Sequence, residues 1–281
     1  MIAQVTSGNT HAAQVRAALE HVSDPELDES VIELGFVTAV EVDDQGGVDI
    51  SFRLPTYWCS ANFAFIMADD MRSAARALPW VTRVAVRLAD HMDDAKINHG
   101  IAHGLSFDQT FGAEGDGSSL DEVRQIFAVK AFQRRQEKLL RHLLAAEHAA
   151  EDLVGLSVAQ LVALQLDAEG QALRLRYLER RSVVAPDAPE LRYLERRGVV
   201  ALDAPEASVT AFVDKVGSPI KAAALPGYLR VLRGVSINTD FGGALCRGLL
   251  VARYGSDSAD APPIQNVQPI HFMRSAAALP G

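Results

Sequence analysis

One stretch of the chain, residues 48–71, reads VDISFRLPTYWCSANFAFIMADDM. Up to Leu54, apolar and polar side chains alternate, which is the period of a strand with one buried face. Pro55 ends this ladder because it has no backbone N–H to donate. After Cys59, apolar residues recur every three or four positions, as they do along one stripe of a helix. The stretch therefore predicts a strand, a short loop and a helix, with Cys59 at the helix N-terminus.

This position favours a chemically reactive Cys59. Unpaired N–H groups and the positive end of the helix dipole favour a thiolate, which is the form of cysteine that binds metals and attacks electrophiles. The residues alone equally allow a cysteine that serves as a small apolar side chain under a turn.

The neighbouring residues extend the same pattern in both directions. We expect a helix over about residues 10–22, a hairpin of strands at about 36–42 and 48–54, and a further strand over 81–88. The fold class is α+β: a small helix-strand-strand-helix-strand domain over residues 1–92 is followed by a mostly helical C-terminal unit.

The remainder divides by composition. Residues 93–118 are rich in Gly, Asp and Ser and are predicted to be a linker or surface loop. Residues 119–255 are predicted to form the mainly helical unit. Within it we expect one long helix from Ser119 to about Ala150, with a solvated polar centre at 134–138. Residues 256–281 are predicted to be an extended or disordered tail.

Two shorter features belong to the second unit. Residues 235–238 resemble a strand and residues 240–243 a turn. Cys246 lies in an apolar segment, where burial as a small side chain is favoured over service as a second ligand.

The second unit also contains a tandem near-repeat over residues 175–206. LRYLERRSVVAPDAPE (175–190) is followed directly by LRYLERRGVVALDAPE (191–206). Two copies are too few for a solenoid, so a local duplication at the surface is the simpler account. Each copy is expected to form a short helix that ends near its paired arginines.

Charge is distributed unevenly. Residues 1–117 hold 7 Lys and Arg against 18 Asp and Glu, a balance of -11, whereas residues 118–281 hold 20 against 18, a balance of +2. The arginines of the repeat could form a basic patch, but a nucleic-acid binder normally has a clearer basic footprint. We therefore expect no nucleic-acid partner.

The overall composition is that of a globular chain of 281 residues with 48% hydrophobic content. No apolar run reaches the length of a membrane span, and the N-terminus lacks the regions of a signal peptide. The two cysteines form no C-x-x-C pair, so we expect a reducing, cytoplasmic location and no membrane partner.

Three separated motifs resemble the SufT/PaaD-like iron–sulfur cluster assembly family. They are Asp24-Pro25-Glu26, Glu33-Leu34-Gly35 and the loop from Thr56 to Cys59, and the match covers about residues 10–92 of the N-terminal domain. The chain departs from the family at Trp58 and Ser60, where glycine and proline are usual. The resemblance implies a domain that helps deliver iron or iron–sulfur clusters to client proteins, with Cys59 as the functional thiol. Bacterial relatives of this kind are associated with multicomponent oxygenases as well as with general cluster assembly.

The candidate site residues follow from these motifs and from a nearby group of potential ligands. A thiolate, an imidazole and carboxylates could together hold iron or zinc. Asp24 could equally be a turn residue before Pro25, and His99 and His103 are interpreted as solvated loop histidines. The predicted metal ligands are Cys59 and His91, more weakly Asp90, Asp24 and Glu26, and the other functional residues are Thr56, Trp58 and Glu33.

Our leading hypothesis is a non-catalytic maturation factor. Cys59 would hold iron or an iron–sulfur cluster transiently, and the C-terminal unit would recognise a client metalloenzyme or oxygenase subunit; a homodimer is left open. The alternative is a client-specific assembly chaperone that binds no metal, which the bulky Trp58 motivates. A third hypothesis is a thiol enzyme with His91 as the base for Cys59. The sequence contains no phosphate-binding, dinucleotide, zincin or hydrolase motif and no Glu-x-x-His ligand pair.

Overall fold

The computed structural model describes residues 2–112, 120–181, 183–184 and 209–255, with side chains from residue 10 onward. The predicted tail at 256–281 and the second repeat copy at 191–206 lie outside these ranges. Within them, every helix is too short or too polar to cross a bilayer.

The N-terminal elements follow the predicted order. They are α1 (Ile2–Leu19), β1 (Ser23–Asp24), β2 (Glu29–Ser30), β3 (Val37–Val42), β4 (Gly47–Arg53), α2 (Ala61–Arg76) and β5 (Arg83–Ala89). Strands β3 and β4 pair antiparallel, and β5 runs parallel to β4 after the α2 crossover, which gives the order β3-β4-β5. The short strands β1 and β2 form a separate antiparallel pair. The α+β class and the helix-strand-strand-helix-strand order are confirmed.

The segment predicted to be a linker instead begins with two helices, α3 (Asp94–His103) and α4 (Phe107–Phe111). Its glycines have structural roles: a Cβ at Gly100 would lie 2.3 Å from the Thr110 hydroxyl, and Gly104 ends α3 at a φ of +66°. Side chains of both helices join the core of the sheet domain, among them Ile97, Ile101 and Phe107. The loop prediction is therefore wrong for this part, because the glycines allow close packing and a helix end rather than disorder.

The C-terminal elements are helical. They are α5 (Leu120–Ala145), α6 (Ala150–Gly155), α7 (Val158–Ala163), α8 (Ala168–Arg181), a 3₁₀ turn (Ala222–Ala224) and α9 (Leu225–Tyr254). Helix α9 replaces the strand and turn predicted at 235–243. Its buried positions recur with helical spacing, at Leu225, Leu232, Ser236, Gly243 and Leu250, and this period outweighs the glycines that suggested a break.

Helix α5 has a buried polar centre, which corrects the prediction of a solvated one. Glu137 is 1% exposed, and the Arg134 guanidinium donates to the Leu27 carbonyl at 2.7 Å. Gln136 donates to the Val213 carbonyl at 2.8 Å and accepts from the Tyr228 hydroxyl at 2.7 Å. These groups tolerate burial because each has a hydrogen-bond partner.

Two apolar cores result. The first lies between the sheet and helices α1 to α4 and is capped by Leu250 of α9. The second surrounds Phe132, Tyr177 and Phe212 and includes Leu232 of the same helix. Helix α9 thus belongs to both cores and fixes the C-terminal unit onto the N-terminal domain.

The arginines of the first repeat copy contact the protein itself. Arg181 donates to the carbonyls of Ala211 and Thr210, and Arg180 pairs with Asp28 at 3.3 Å. As predicted, the helix of this copy ends at the arginine pair. These two side chains are therefore not part of a free basic surface.

Candidate functional site

Cys59 lies in the loop that joins β4 to α2, one residue before Ser60, which occupies the N-cap position of the helix. Its side chain is half-buried, and the Thr56 hydroxyl lies 3.1 Å from Sγ. The predicted position of Cys59 at the start of a helix is confirmed. A hydroxyl at this distance can donate to a thiolate and stabilise it.

His91 holds this loop through its backbone. Nε2 lies 2.7 Å from the Cys59 carbonyl oxygen, and the Asp93 N–H donates to Nδ1 at 3.1 Å. These contacts place the ring proton on Nε2, and the ring is only 2% exposed. Both nitrogens of His91 are engaged in this arrangement, and the ring contacts the Cys59 main chain rather than its thiol. The arrangement contains neither a metal-ready imidazole nor the Cys59–His91 base pair of the thiol-enzyme hypothesis.

Asp24 has the turn role that the sequence offered as the economical interpretation. Its Oδ1 accepts from the N–H groups of Glu26 at 2.8 Å and Leu27 at 2.9 Å. The side chain is buried at 8% exposure, and this burial raises the pKa of the carboxyl to about 6. Nothing among the described residues hydrogen-bonds to Oδ2.

A cavity of about 140 Å³ brings these residues together. Asp24, Glu26 and Cys59 line it, as does Cys246 from α9. The rest of its wall is mainly apolar: Leu27, Phe36, Leu54, Pro55, Ser60, Phe63 and Met67. The predicted approach of Asp24 and Glu26 to Cys59 is thus present in the structure, whereas their role as ligands stays a prediction.

Cys246 is half-buried rather than fully enclosed, and it faces the same cavity as Cys59. Burial, followed by the negative charges of Asp24, Cys59 and Glu26, raises the pKa of the Cys246 thiol to about 11. The sequence analysis favoured burial of Cys246 as a small side chain over service as a second ligand, because it recognised only an apolar segment after a turn. The heptad-like spacing of buried positions along α9 is the signal that could have placed it on a helix.

The other predicted residues are not part of the cavity lining. Asp90 accepts from the Tyr254 hydroxyl and pairs with Arg253, both at 2.7 Å. Glu33 is exposed and lies 3.8 Å from Arg176. Asp90 and Glu33 therefore contact C-terminal helices and not Cys59.

Trp58 is 74% exposed and meets Tyr57 edge-to-face. The Met92 N–H donates to the Tyr57 carbonyl at 2.8 Å, which holds exposed Met92 beside the pair. We name Tyr57, Trp58 and Met92 the rim patch. It places exposed apolar surface directly beside the Cys59 loop.

Across the described ranges, no three His, Cys, Asp or Glu side chains are arranged to hold a metal ion. His99 and His103 lie on α3, with their rings 4.2 Å apart, and not in a loop as expected. The cavity therefore offers two thiols and two carboxylates without forming a closed coordination shell.

Comparison with known proteins gives a consistent result. Residues 12–86 match the family described as "Iron-sulfur cluster assembly protein". The Fe-S protein maturation auxiliary factor YitW of Bacillus subtilis is 34% identical over 74 residues, which are 26% of this chain and 71% of YitW. An uncharacterized protein of Methanocaldococcus jannaschii is 32% identical over 81 residues, 29% of this chain and 83% of the relative. A solved domain of unknown function from Bacillus anthracis shares 25% identity over 30% of this chain and 79% of its own, with a TM-score of 0.28.

Proposed function

We infer that this chain, which belongs to the iron–sulfur cluster assembly protein family through residues 12–86, acts in the maturation of iron–sulfur proteins. We propose further that it does so by passing iron or an iron–sulfur cluster, as cargo, from Cys59 to a client metalloenzyme. A subunit of a multicomponent oxygenase is the client class we propose. The chain would carry out no catalytic reaction of its own.

The observation that carries this proposal is the half-buried Cys59 thiol, which faces a cavity and contacts a hydroxyl at 3.1 Å. A carrier must bind its cargo and also release it. Thiolate is a good ligand for iron and its clusters, and a thiol in an open cavity stays accessible to the ligands of a client.

The rim patch supports a docking role for the same face. Trp58 and Tyr57 offer large, rigid apolar surface beside the thiol, and aromatic residues of this kind are enriched where proteins bind one another. A client docked there would bring its own ligands close to Cys59.

The experiment replaces the chromosomal copy with Cys59→Ser and measures iron and activity of the iron-dependent enzymes of the host. We expect a client to lose most of its iron while the amount of client protein is unchanged. We expect Ser73→Ala, at an exposed position of α2 outside the cavity lining, to behave like the parent. Normal iron loading of every such enzyme in the Cys59→Ser strain would remove the proposed role of this thiol.

A second candidate function is assembly chaperoning without metal, which the 74% exposed Trp58 favours. In that case Trp58→Ala would impair the client while Cys59→Ser left it active. If Cys59 carries cargo, both variants lower the iron content of the client.

A further inference from the structure

The two cysteines of the chain come from opposite ends of the sequence and line one cavity. Cys59 belongs to the loop after β4, and Cys246 lies on α9, outside the residues that match the family. We propose that Cys246 is a second thiolate ligand. Cys59 and Cys246 together form a two-thiol site for a divalent transition-metal cation such as Fe²⁺, or for the iron of a small cluster. This inference deepens the proposed function and rests on it.

The position of Cys246 is fixed by contacts on both sides of it. Earlier on the helix, Asp240 accepts from Arg134 of α5 at 2.8 Å, and the adjacent Arg247 pairs with Glu29 of the N-terminal domain. One turn after Cys246, Leu250 is buried in the first core. Helix α9 therefore cannot rotate its thiol away from the cavity without breaking contacts at both ends.

The carboxylate of Asp24 is an independent indication of a cation in this cavity. It is more than nine-tenths buried and lines the cavity, and Oδ2 has no hydrogen-bond partner among the described residues. The negative charge of this carboxylate, in the same cavity as the two thiols, favours a cation there. Glu26, which is exposed, adds a negative charge at the opening.

The ligand set determines the chemistry of the cargo. Two thiolates select iron, zinc or the iron of a cluster over magnesium or calcium, which prefer oxygen ligands. Binding of a divalent cation forms two metal–sulfur bonds and releases one proton from each thiol, with no change in oxidation state. The chain supplies fewer ligands than a closed shell needs, which leaves positions for the ligands of a donor or client.

The test uses Co²⁺ alone as the probe, added to the reduced full-length protein without oxygen. Thiolate ligation of Co²⁺ produces a near-ultraviolet charge-transfer band whose intensity follows the number of thiolates. We expect this band in the parent, about half of it in Cys246→Ser or in Cys59→Ser, and none in the double variant. Leu245→Ala, an exposed neighbour of Cys246 on α9, is the matched control and should keep the full band.

A second measurement uses only the parent protein, so it does not depend on whether the variants fold. In the parent, the alkylation rates of Cys59 and Cys246 are followed separately by peptide mass spectrometry, and Co²⁺ should slow both about tenfold or more. A full band in Cys246→Ser, no band in the parent, or protection of Cys59 alone would overturn the two-thiol site. If the band were lost in Cys59→Ser but not reduced in Cys246→Ser, the two-thiol site would be overturned and the carrier role of Cys59 would stay intact. Normal client iron in the Cys59→Ser strain would refute the function but not the ligation.

Discussion

His91 holds the Cys59 loop in position through hydrogen bonds of its ring. Its imidazole joins the Cys59 carbonyl to the Asp93 N–H, so the start of α3 and the loop before α2 hold each other in place. His91 therefore uses both ring nitrogens to hold the loop, whereas the polar groups that line the cavity include the two thiols and the carboxyls of Asp24 and Glu26.

Asp24 leads to a prediction about pH. Because the pKa of its carboxyl is raised to about 6 in the folded protein from an ordinary value of 3.8, the folded state binds the proton more tightly than the unfolded state. The buried carboxyl therefore does not destabilise the folded state at low pH. Its destabilising effect grows as the pH rises through the window between these two values. Asp24→Asn has no such cost but can still accept from both backbone N–H groups.

With metal removed by a chelator, we expect the free energy of unfolding of Asp24→Asn to gain on the parent by about 2 kcal/mol between about pH 4.5 and about pH 7.5. Urea unfolding followed by circular dichroism at a series of pH values measures this difference. If the difference in the free energy of unfolding between Asp24→Asn and the parent did not change with pH, folding would not raise the pKa of Asp24.

At the scale of the element, α5 is attached to the N-terminal domain through its arginines. Arg135 binds both oxygens of Asp28, at 2.7 and 2.8 Å, in a side-by-side pair, and Arg180 of α8 adds a third contact. The Asp28 side chain is 4% exposed. Removing one partner from a buried pair leaves the other charge uncompensated, which is far more costly than losing a surface pair.

Asp28→Asn should therefore lower the free energy of unfolding by roughly 3 kcal/mol. Asparagine is the suitable replacement because residue 28 has a φ of +50°, which asparagine tolerates. Glu33→Gln is the matched control: it alters an exposed 3.8 Å pair with Arg176 and should cost about 0–1 kcal/mol. Similar losses for the two variants, measured by urea unfolding, would contradict a buried attachment at Asp28.

Elements with a local signature were predictable, and elements that depend on distant partners were not. The β4–Cys59–α2 segment combines alternation, a proline stop and a helical stripe within one stretch, so its strand, loop and helix follow from neighbours in sequence. The polar centre of α5 is typical of a solvated face, and its burial is explained by partners far away in the sequence, among them Leu27, Val213 and Tyr228. The position of Cys246 beside the Cys59 cavity could not be predicted for the same reason, because it depends on the whole path of α9.

At the scale of the whole molecule, the two cores share α9 and should unfold together. Leu250 is 5% exposed and packs in the first core, whereas its neighbour Leu249 is 37% exposed. We expect Leu250→Ala to lower the free energy of unfolding by about 2–4 kcal/mol and Leu249→Ala by less than about 1 kcal/mol.

Two probes check whether this loss is shared. Both tryptophans, Trp58 and Trp80, lie in the N-terminal domain, whereas circular dichroism at helical wavelengths reports mainly on the C-terminal helices. Coincident transitions, shifted together by Leu250→Ala, are expected of one cooperative unit. Two separate transitions would contradict the joint role of α9.

The distance in sequence between the two cysteines also has a consequence for biosynthesis. The N-terminal domain leaves the ribosome first and can begin to fold while α9 is still being translated. Until α9 emerges and docks, the cavity lacks Cys246, the residue that α9 contributes to its lining. A nascent chain therefore has only the Cys59 thiol at this cavity. Both thiols are present there only after α9 has been translated and has docked.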